Sequence, residues 1–287
     1  MSDFIAGYAQ HLTAAARSNI TVHDRERILR RVDADLPMGI EEATVEELEH
    51  WLVGPVDQHG RPTWSAKTKL TYFEAITAFF DYACDPRRDP HLDYNPAASL
   101  ARPTVHRNAP NPVDEEQYAI ILDGTVGFWR VASLLAGLEG FRCAEIADVC
   151  RERITEDYTI VLGKGNKEVA LPTHPEVWRA VRDFPRGSIA LHLLKRKISA
   201  NQLSSAYARR MRALGLQDVH LHRLRARFAT MMLRPKELGG GGFDLRTVQE
   251  LMRHADPSIT ALYTQVTDQQ RRLAIATLPV PKVPAPC

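Results

Sequence analysis

Residues 158–172 read YTIVLGKGNKEVALP. Segments 158–162 and 168–171 are short β-prone runs on either side of the turn GKGNK, and this predicts a small β-hairpin. Outward from it the patterned segments carry helical spacing instead. Helices are expected near 114–122, 126–139, 174–183, 199–214, 222–233, 244–253 and 257–275. Ser199 and Gln202 form a capping box ahead of the helix near 199–214. The first hundred residues read as helical throughout, over 4–16, 22–32 with Thr21 as cap, and 45–52 behind the capping box of Thr44 and Glu47. The clearest helix there repeats Leu70, Phe73, Ile76, Phe79, Phe80 and Ala83. It ends before CDPRRDPHLDYNP, where three prolines break the pattern. The fold class is therefore mainly α with one small β-hairpin.

The 287-residue length suggests two domains. RPTVHRNAPNP at 102–112 has three prolines and no periodicity, and reads as a linker. The expected division is a helical domain over 1–107, a mixed domain over 108–277 carrying the hairpin, and a proline-rich disordered tail over 278–287. GGGG at 239–242 reads as a flexible joint.

Composition excludes several classes. At 44% hydrophobic and 25% charged residues the chain is neither disordered nor fibrous. No apolar run approaches the roughly 18–20 residues of a membrane span, and the N-terminus lacks a secretory pattern. Four scattered cysteines without C-x-x-C spacing argue against structural zinc and disulfides, which fits a cytoplasmic protein. The net charge of +2 conceals an asymmetry. Residues 1–107 hold 12 basic and 16 acidic side chains, a net of −4. Residues 108–287 hold 25 and 19, a net of +6. The acidic run GIEEATVEELE at 39–49 fits a solvated helix face better than a metal site, since metal-assisted phosphoryl transfer needs carboxylates converging from separate elements.

Four segments of the second half carry candidate chemistry: GFRCAEIADV (140–149), LGKGNKEVALP (162–172), LHRLRARFAT (221–230) and VQELMRHADPSITALYTQV (248–266). Arginine suits a phosphate clamp because its planar fork binds oxygens in pairs and stays charged. Histidine three residues before an arginine shares its helix face. A tyrosine hydroxyl can serve as a nucleophile that conserves a phosphodiester bond in a covalent link. Taken singly, each has an ordinary reading: a packing tyrosine, a surface arginine (Glu145 could pair with Arg142), a common hairpin turn.

In order and spacing these segments resemble the tyrosine recombinase (integrase) family, strongly over 110–275 and more weakly over 1–107, where the closing NPAASLARP is similar to the end of the family's core-DNA-binding domain. The pattern of an Arg in a G-[LI]-R-x-x-E turn, a Lys in a GKGxK hairpin, H-x-L-R, G-H and a later Tyr falls on Arg142, Lys164, His222, Arg225, His254 and Tyr263. Departures are Phe141 for Leu or Ile, Ala226-Arg227 for His-Thr or His-Ser, a few extra residues between Thr230 and Asp244, and Arg253 where Gly is preferred. If position 253 is left-handed, a non-glycine residue costs on the order of 1 kcal/mol.

The resemblance implies a helical core-binding domain and an α+β catalytic domain clasping duplex DNA. Four protomers would hold two core recombination sites, with room for an accessory DNA-bending or directionality protein. Tyr263 would be the nucleophile, Arg142 and Arg225 the phosphate clamp, Lys164 the general acid, His222 its acid/base partner and His254 a donor to the phosphate. Asp256 and Pro257 would open the short helix carrying Tyr263. No cofactor, metal, ATP or membrane is expected. Expected DNA contacts are Arg61, Lys67 and Lys69 in the first domain and Lys195, Lys197, Arg209, Arg210 and Arg212 in the second. The chain is expected to lack the arm-binding domain of larger phage integrases. That leaves the integrase of a mobile element, favoured by the departures, a Xer-like dimer resolvase, or a DNA-binding regulator without cleavage activity.

Overall fold

The computed structural model describes residues 3–105, 109–162 and 168–253. The chain divides into two compact units, residues 1–107 and 108–287.

The first unit holds α1 (Asp3–Ala14), α2 (Asn19–Asp35), α3 (Val45–Val53) and α4 (Ala66–Ala83). Its core is built from one face of each helix: Ile5 and Tyr8, Leu29 and Val32, Leu48 and Trp51, and Phe73, Ile76, Phe79 and Phe80. Thr44 and Glu47 make the expected capping box, the Glu47 carboxylate accepting the Thr44 N–H at 2.9 Å. Part of the acidic run at 39–49 thus caps a helix. α2 starts earlier than its spacing suggests, because Ser18 rather than Thr21 caps it.

The second unit holds α5 (Glu115–Gly124), α6 (Gly127–Leu138), α7 (Cys143–Ala147), β1 (Tyr158–Leu162), β2 (Glu168–Pro172), α8 (Pro175–Val181), α9 (Ile189–Leu194), α10 (Ala200–Ala213), α11 (Leu221–Leu233) and α12 (Leu245–Met252). β1 and β2 pair antiparallel, from Tyr158 opposite Pro172 to Leu162 opposite Glu168. They form the only sheet among the described residues. The mainly helical character with one small hairpin is as the sequence predicts. α6 lies at the centre, burying Phe128, Val131, Leu134 and Leu135 against Leu221 and Leu224 of α11 and Leu203, Tyr207 and Met211 of α10. The Tyr207 and Ser133 hydroxyls share a buried hydrogen bond of 2.6 Å between α10 and α6.

The glycine run at 239–242 is not a loose joint. The amides of Gly240, Gly241 and Gly242 bond the carbonyls of Pro235, Met231 and Arg234. A Cβ on Gly240 would lie 2.1 Å from the Arg234 carbonyl oxygen. Glycine is required there by close backbone approach.

Arg227 locks α11 against the centre of the unit. Its guanidinium bonds both Glu115 oxygens at 2.9 and 2.7 Å and the Gly137 carbonyl at 3.1 Å, and lies 4.0 Å over the Tyr118 ring. Arg227→Met removes these bonds and should lower stability by about 2–3 kcal/mol, read from denaturant unfolding. Arg246→Ala, whose pair with Glu250 is exposed, should shift it by less than about 0.5 kcal/mol. Equal effects would show that Arg227 does not hold α11.

Candidate active site

The first site arginine is placed by the turn after α6. Gly140 has φ +64, a left-handed conformation that glycine adopts without strain, and a Cβ there would meet Phe228 at 2.6 Å. The chain reverses and Arg142 becomes the N-cap of α7. One turn on, Glu145 reaches back to accept the Arg142 N–H at 2.7 Å and the Arg142 guanidinium at 2.9 Å. The helix start and the orientation of Arg142 therefore depend on one carboxylate.

α11 supplies the second pair. Arg225 is 2% exposed. Its guanidinium donates to the Gly140 carbonyl and to the Met252 carbonyl at the end of α12. His222, one turn earlier, is exposed, and its ring lies 6.3 Å from that of His220 at an interplanar angle of 14°. Burial, then the charge of Arg223, lowers the His220 pKa below the ordinary imidazole range.

α12 ends where these groups meet. Arg142 donates to the Arg253 carbonyl at 2.8 Å and the Met252 carbonyl at 3.3 Å. Arg253 itself has φ 54 and ψ 42. The position where the family pattern prefers glycine is thus left-handed and holds an arginine, at a backbone cost on the order of 1 kcal/mol. The Arg253 side chain turns inward. It bonds Glu145 Oε2 at 2.6 Å, Glu145 Oε1 at 3.3 Å, the Gly140 carbonyl at 3.0 Å and the Leu251 carbonyl at 2.8 Å. Burial opposes ionisation of Glu145, but the hydrogen bond and charge of Arg253, then the amide and charge of Arg142, prevail and hold its carboxyl below the usual range.

Arg142, His222 and Arg225 line one cleft of about 400 Å³ with Cys143, Ser204 and Leu221. Two guanidiniums and an imidazole facing one opening suit a phosphodiester, since preorganised donors stabilise negative charge in a partly water-excluded site. The Cys143 thiol donates to the Ala200 carbonyl at 3.1 Å, and burial pushes its pKa up to about 11, so it is not poised as a thiolate nucleophile at neutral pH. Lys164, His254 and Tyr263, with the helix expected over 257–275, lie outside the described residues. So does the tail.

The basic residues expected to meet DNA differ in their surroundings. Arg61 is held by Asp57 at 3.2 Å. Lys67 and Lys69, in the first turn of α4, make no ion pair among the described residues. Lys195, Lys197, Arg209 and Arg212 are exposed, whereas Arg210 is half-buried with its guanidinium 5.9 Å over the Trp129 ring.

Sequence reasoning marks Arg253 and Arg227 as departures without finding their roles, and misses Glu139. That residue ends α6, is 4% exposed, and accepts the His174 N–H at 2.9 Å, tying the Arg142 turn to the start of α8. A carboxylate inside a helical apolar pattern just before the turn is the only signal it leaves.

Comparison with known proteins identifies the family. The phage integrase family model matches residues 129–270. Tyrosine recombinase XerC of Escherichia coli O6:K15:H31 is 33% identical over 68% of this chain and 68% of its own length. Tyrosine recombinase XerC of Corynebacterium glutamicum is 27% identical over 93% of this chain and 88% of its own. Among solved structures, a lambda integrase (75–356) dimer bound to a COC′ core site superposes with a TM-score of 0.73 at 17% identity, covering 92% of this chain and 94% of that one. The chain belongs to the tyrosine recombinase family, of which the phage integrases are part.

Burial pushes the Glu139 carboxyl from its ordinary 4.5 up to about 7, against the opposing pulls of the His174 amide and the charge of Arg253. The folded state therefore prefers the protonated form. This contribution is full below about pH 4.5 and is lost as pH rises through about 7, a change on the order of 3 kcal/mol. Relative to Glu139→Gln, which mimics the neutral acid, the wild type should lose stability between pH 5 and pH 8 in urea unfolding. A pH-independent difference between the two proteins would contradict this.

Proposed function

We propose that this tyrosine recombinase breaks and rejoins DNA through Tyr263. The Tyr263 hydroxyl gives its proton to His222 and attacks the scissile phosphate, so the Tyr–O–P bond forms as the bond to the 5′-oxygen breaks. Lys164 delivers the proton to that oxygen. Arg142 and Arg225 bind the non-bridging oxygens, His222 acts as acid/base partner and His254 donates to the phosphate. The freed 5′-hydroxyl then attacks the phosphotyrosine of the other duplex, breaking the Tyr–O–P bond and releasing the tyrosine with its proton restored; this gives a Holliday junction, and a second strand exchange resolves it. Each phosphodiester broken is conserved in another, so neither ATP nor a metal is called on. Four protomers on two core sites supply the four cleavages.

The observation that supports this best is the convergence of Arg142, Arg225 and His222 on one cleft at the end of α12, directly ahead of His254 in the chain. Among recombinases, the integrase of a mobile element, acting in the cytoplasm with or without a directionality partner, is favoured by the arginine at 253, Arg227 in place of Thr or Ser, and the glycine-rich turn. The likeness to two XerC proteins favours the second reading, a dimer resolvase. A plasmid assay with like sites against unlike sites separates the two.

The duplex used for testing carries the sequence recovered by binding selection from DNA flanking the gene, with a nick beside the cleavage position. Wild type should accumulate a covalent adduct in EDTA as in magnesium, and Tyr263→Phe should bind without forming one. Binding without any wild-type adduct would point to a regulator that keeps the fold, and loss of cleavage in EDTA to a metal nuclease. Replacing Lys67 and Lys69 by Ala should lower the slope of log affinity against log salt by about 0.9 for each phosphate that the variant no longer neutralises. Arg61→Ala should change it less, because Asp57 already holds that charge. The reverse order would show that the acidic first unit meets DNA elsewhere.

A further inference from the structure

We infer that Arg253 is a positioning residue for the cleavage step, neutralising Glu145 so that Arg142 keeps an uncompensated positive charge for the scissile phosphate. This rests on the recombinase reading above and adds a residue to it.

Three side chains set the charge beside the cleft. Glu145 is the anion that Arg142 and Arg253 share. It faces two guanidiniums, that of Arg142 at 2.9 Å and that of Arg253 at 2.6 Å. The two partners differ in exposure. The Arg253 and Glu145 side chains are each 6% exposed, whereas Arg142 is 41% exposed and opens onto the cleft. The buried pair is thus Glu145 with Arg253, and Arg142 is its outward neighbour. With glycine at 253, the Glu145 carboxylate would turn its full charge on Arg142, and the pair facing the phosphate would be formally neutral. With arginine at 253 the three groups carry a net charge of +1, beside the guanidinium of Arg225 in the same cleft.

The remaining Arg253 bonds hold this arrangement rather than the substrate. Its guanidinium spans the Gly140 carbonyl, in the turn that presents Arg142, and the Leu251 carbonyl, in the last turn of α12. It also lies 5.2 Å over the Phe141 ring. Its own carbonyl accepts from Arg142. That last bond belongs to the backbone and survives substitution of the side chain. Arg253 is absent from the cleft lining, so its action is exerted through Glu145 and Arg142.

Arg253→Gly tests this cleanly, because glycine suits the left-handed backbone and leaves the main-chain acceptor in place. The readouts are the single-turnover rate of adduct formation on the nicked duplex at saturating protein, and the affinity for the same duplex. Arg253→Gly should slow adduct formation by about tenfold or more while changing affinity by less than about threefold. Removing the Glu145 charge in that background, in Arg253→Gly/Glu145→Gln, should restore much of the rate, since the uncompensated anion is then gone. Arg253→Lys should retain more activity than Arg253→Gly. Wild-type rates in Arg253→Gly would overturn the inference. So would rate reductions that simply multiply in the double variant, or a lysine variant as slow as the glycine one. A wild type that binds the duplex but forms no adduct would overturn the recombinase reading itself, a result distinct from each of these.

Discussion

The structure of the second unit turns on one convergence. Three guanidiniums, from Arg142, Arg225 and Arg253, meet at the carbonyls that end α12 and at the carbonyl of Gly140. The last carbonyls of a helix have no partner within it and carry the negative end of its dipole. Arginines satisfy them and gain from the dipole. In doing so they join three separate parts of the chain: the turn between α6 and α7, the middle of α11, and the last residue of α12. A buried guanidinium needs hydrogen bonds, and its demand for them here fixes the geometry of the cleft.

The same convergence would carry the proposed chemistry. Carbonyl oxygens satisfy arginine donors without cancelling their charge. Among the described ion pairs, the Glu145 carboxylate is shared by two of the three arginines. Arg142, Arg253 and Glu145 together carry a net positive charge beside the buried Arg225, where the low-dielectric protein side of the cleft makes electrostatic stabilisation stronger than in bulk solvent. Such a site suits a reaction that asks mainly for positioning and for stabilisation of phosphate oxygens. Arg227 and Glu139 act one step further back, the first holding α11 against α5 and α6, the second tying the Arg142 turn to α8.

Much of this is legible in the sequence, for identifiable reasons. α3 and α10 announce themselves through capping boxes, α4 through its apolar repeat, and β1 and β2 through a glycine turn between β-prone runs. α7, of five residues, is too short to show a period, although it positions Arg142. α9, of six residues, escapes for the same reason. Ser18 does not read as a cap because Ile20, the first apolar residue after it, is exposed and stands apart from the buried Ile28, Leu29 and Val32, so it does not mark the helix start as part of an apolar face. The glycine run at 239–242 suggests looseness because composition does not report close backbone approach. Arg253 stands out as a departure from a motif, but its role depends on Glu145, 108 residues away, and no local pattern conveys that pairing.

On the proposed function, the arginines that meet at the end of α12 hold a scissile phosphate. The most direct measurement compares single-turnover adduct formation with DNA affinity in Arg142→Ala and Arg225→Ala. The account predicts that cleavage falls by orders of magnitude while affinity, set by many phosphate contacts along the duplex, changes little. Cleavage that declines only in step with weakened binding, or that survives both substitutions, would contradict it.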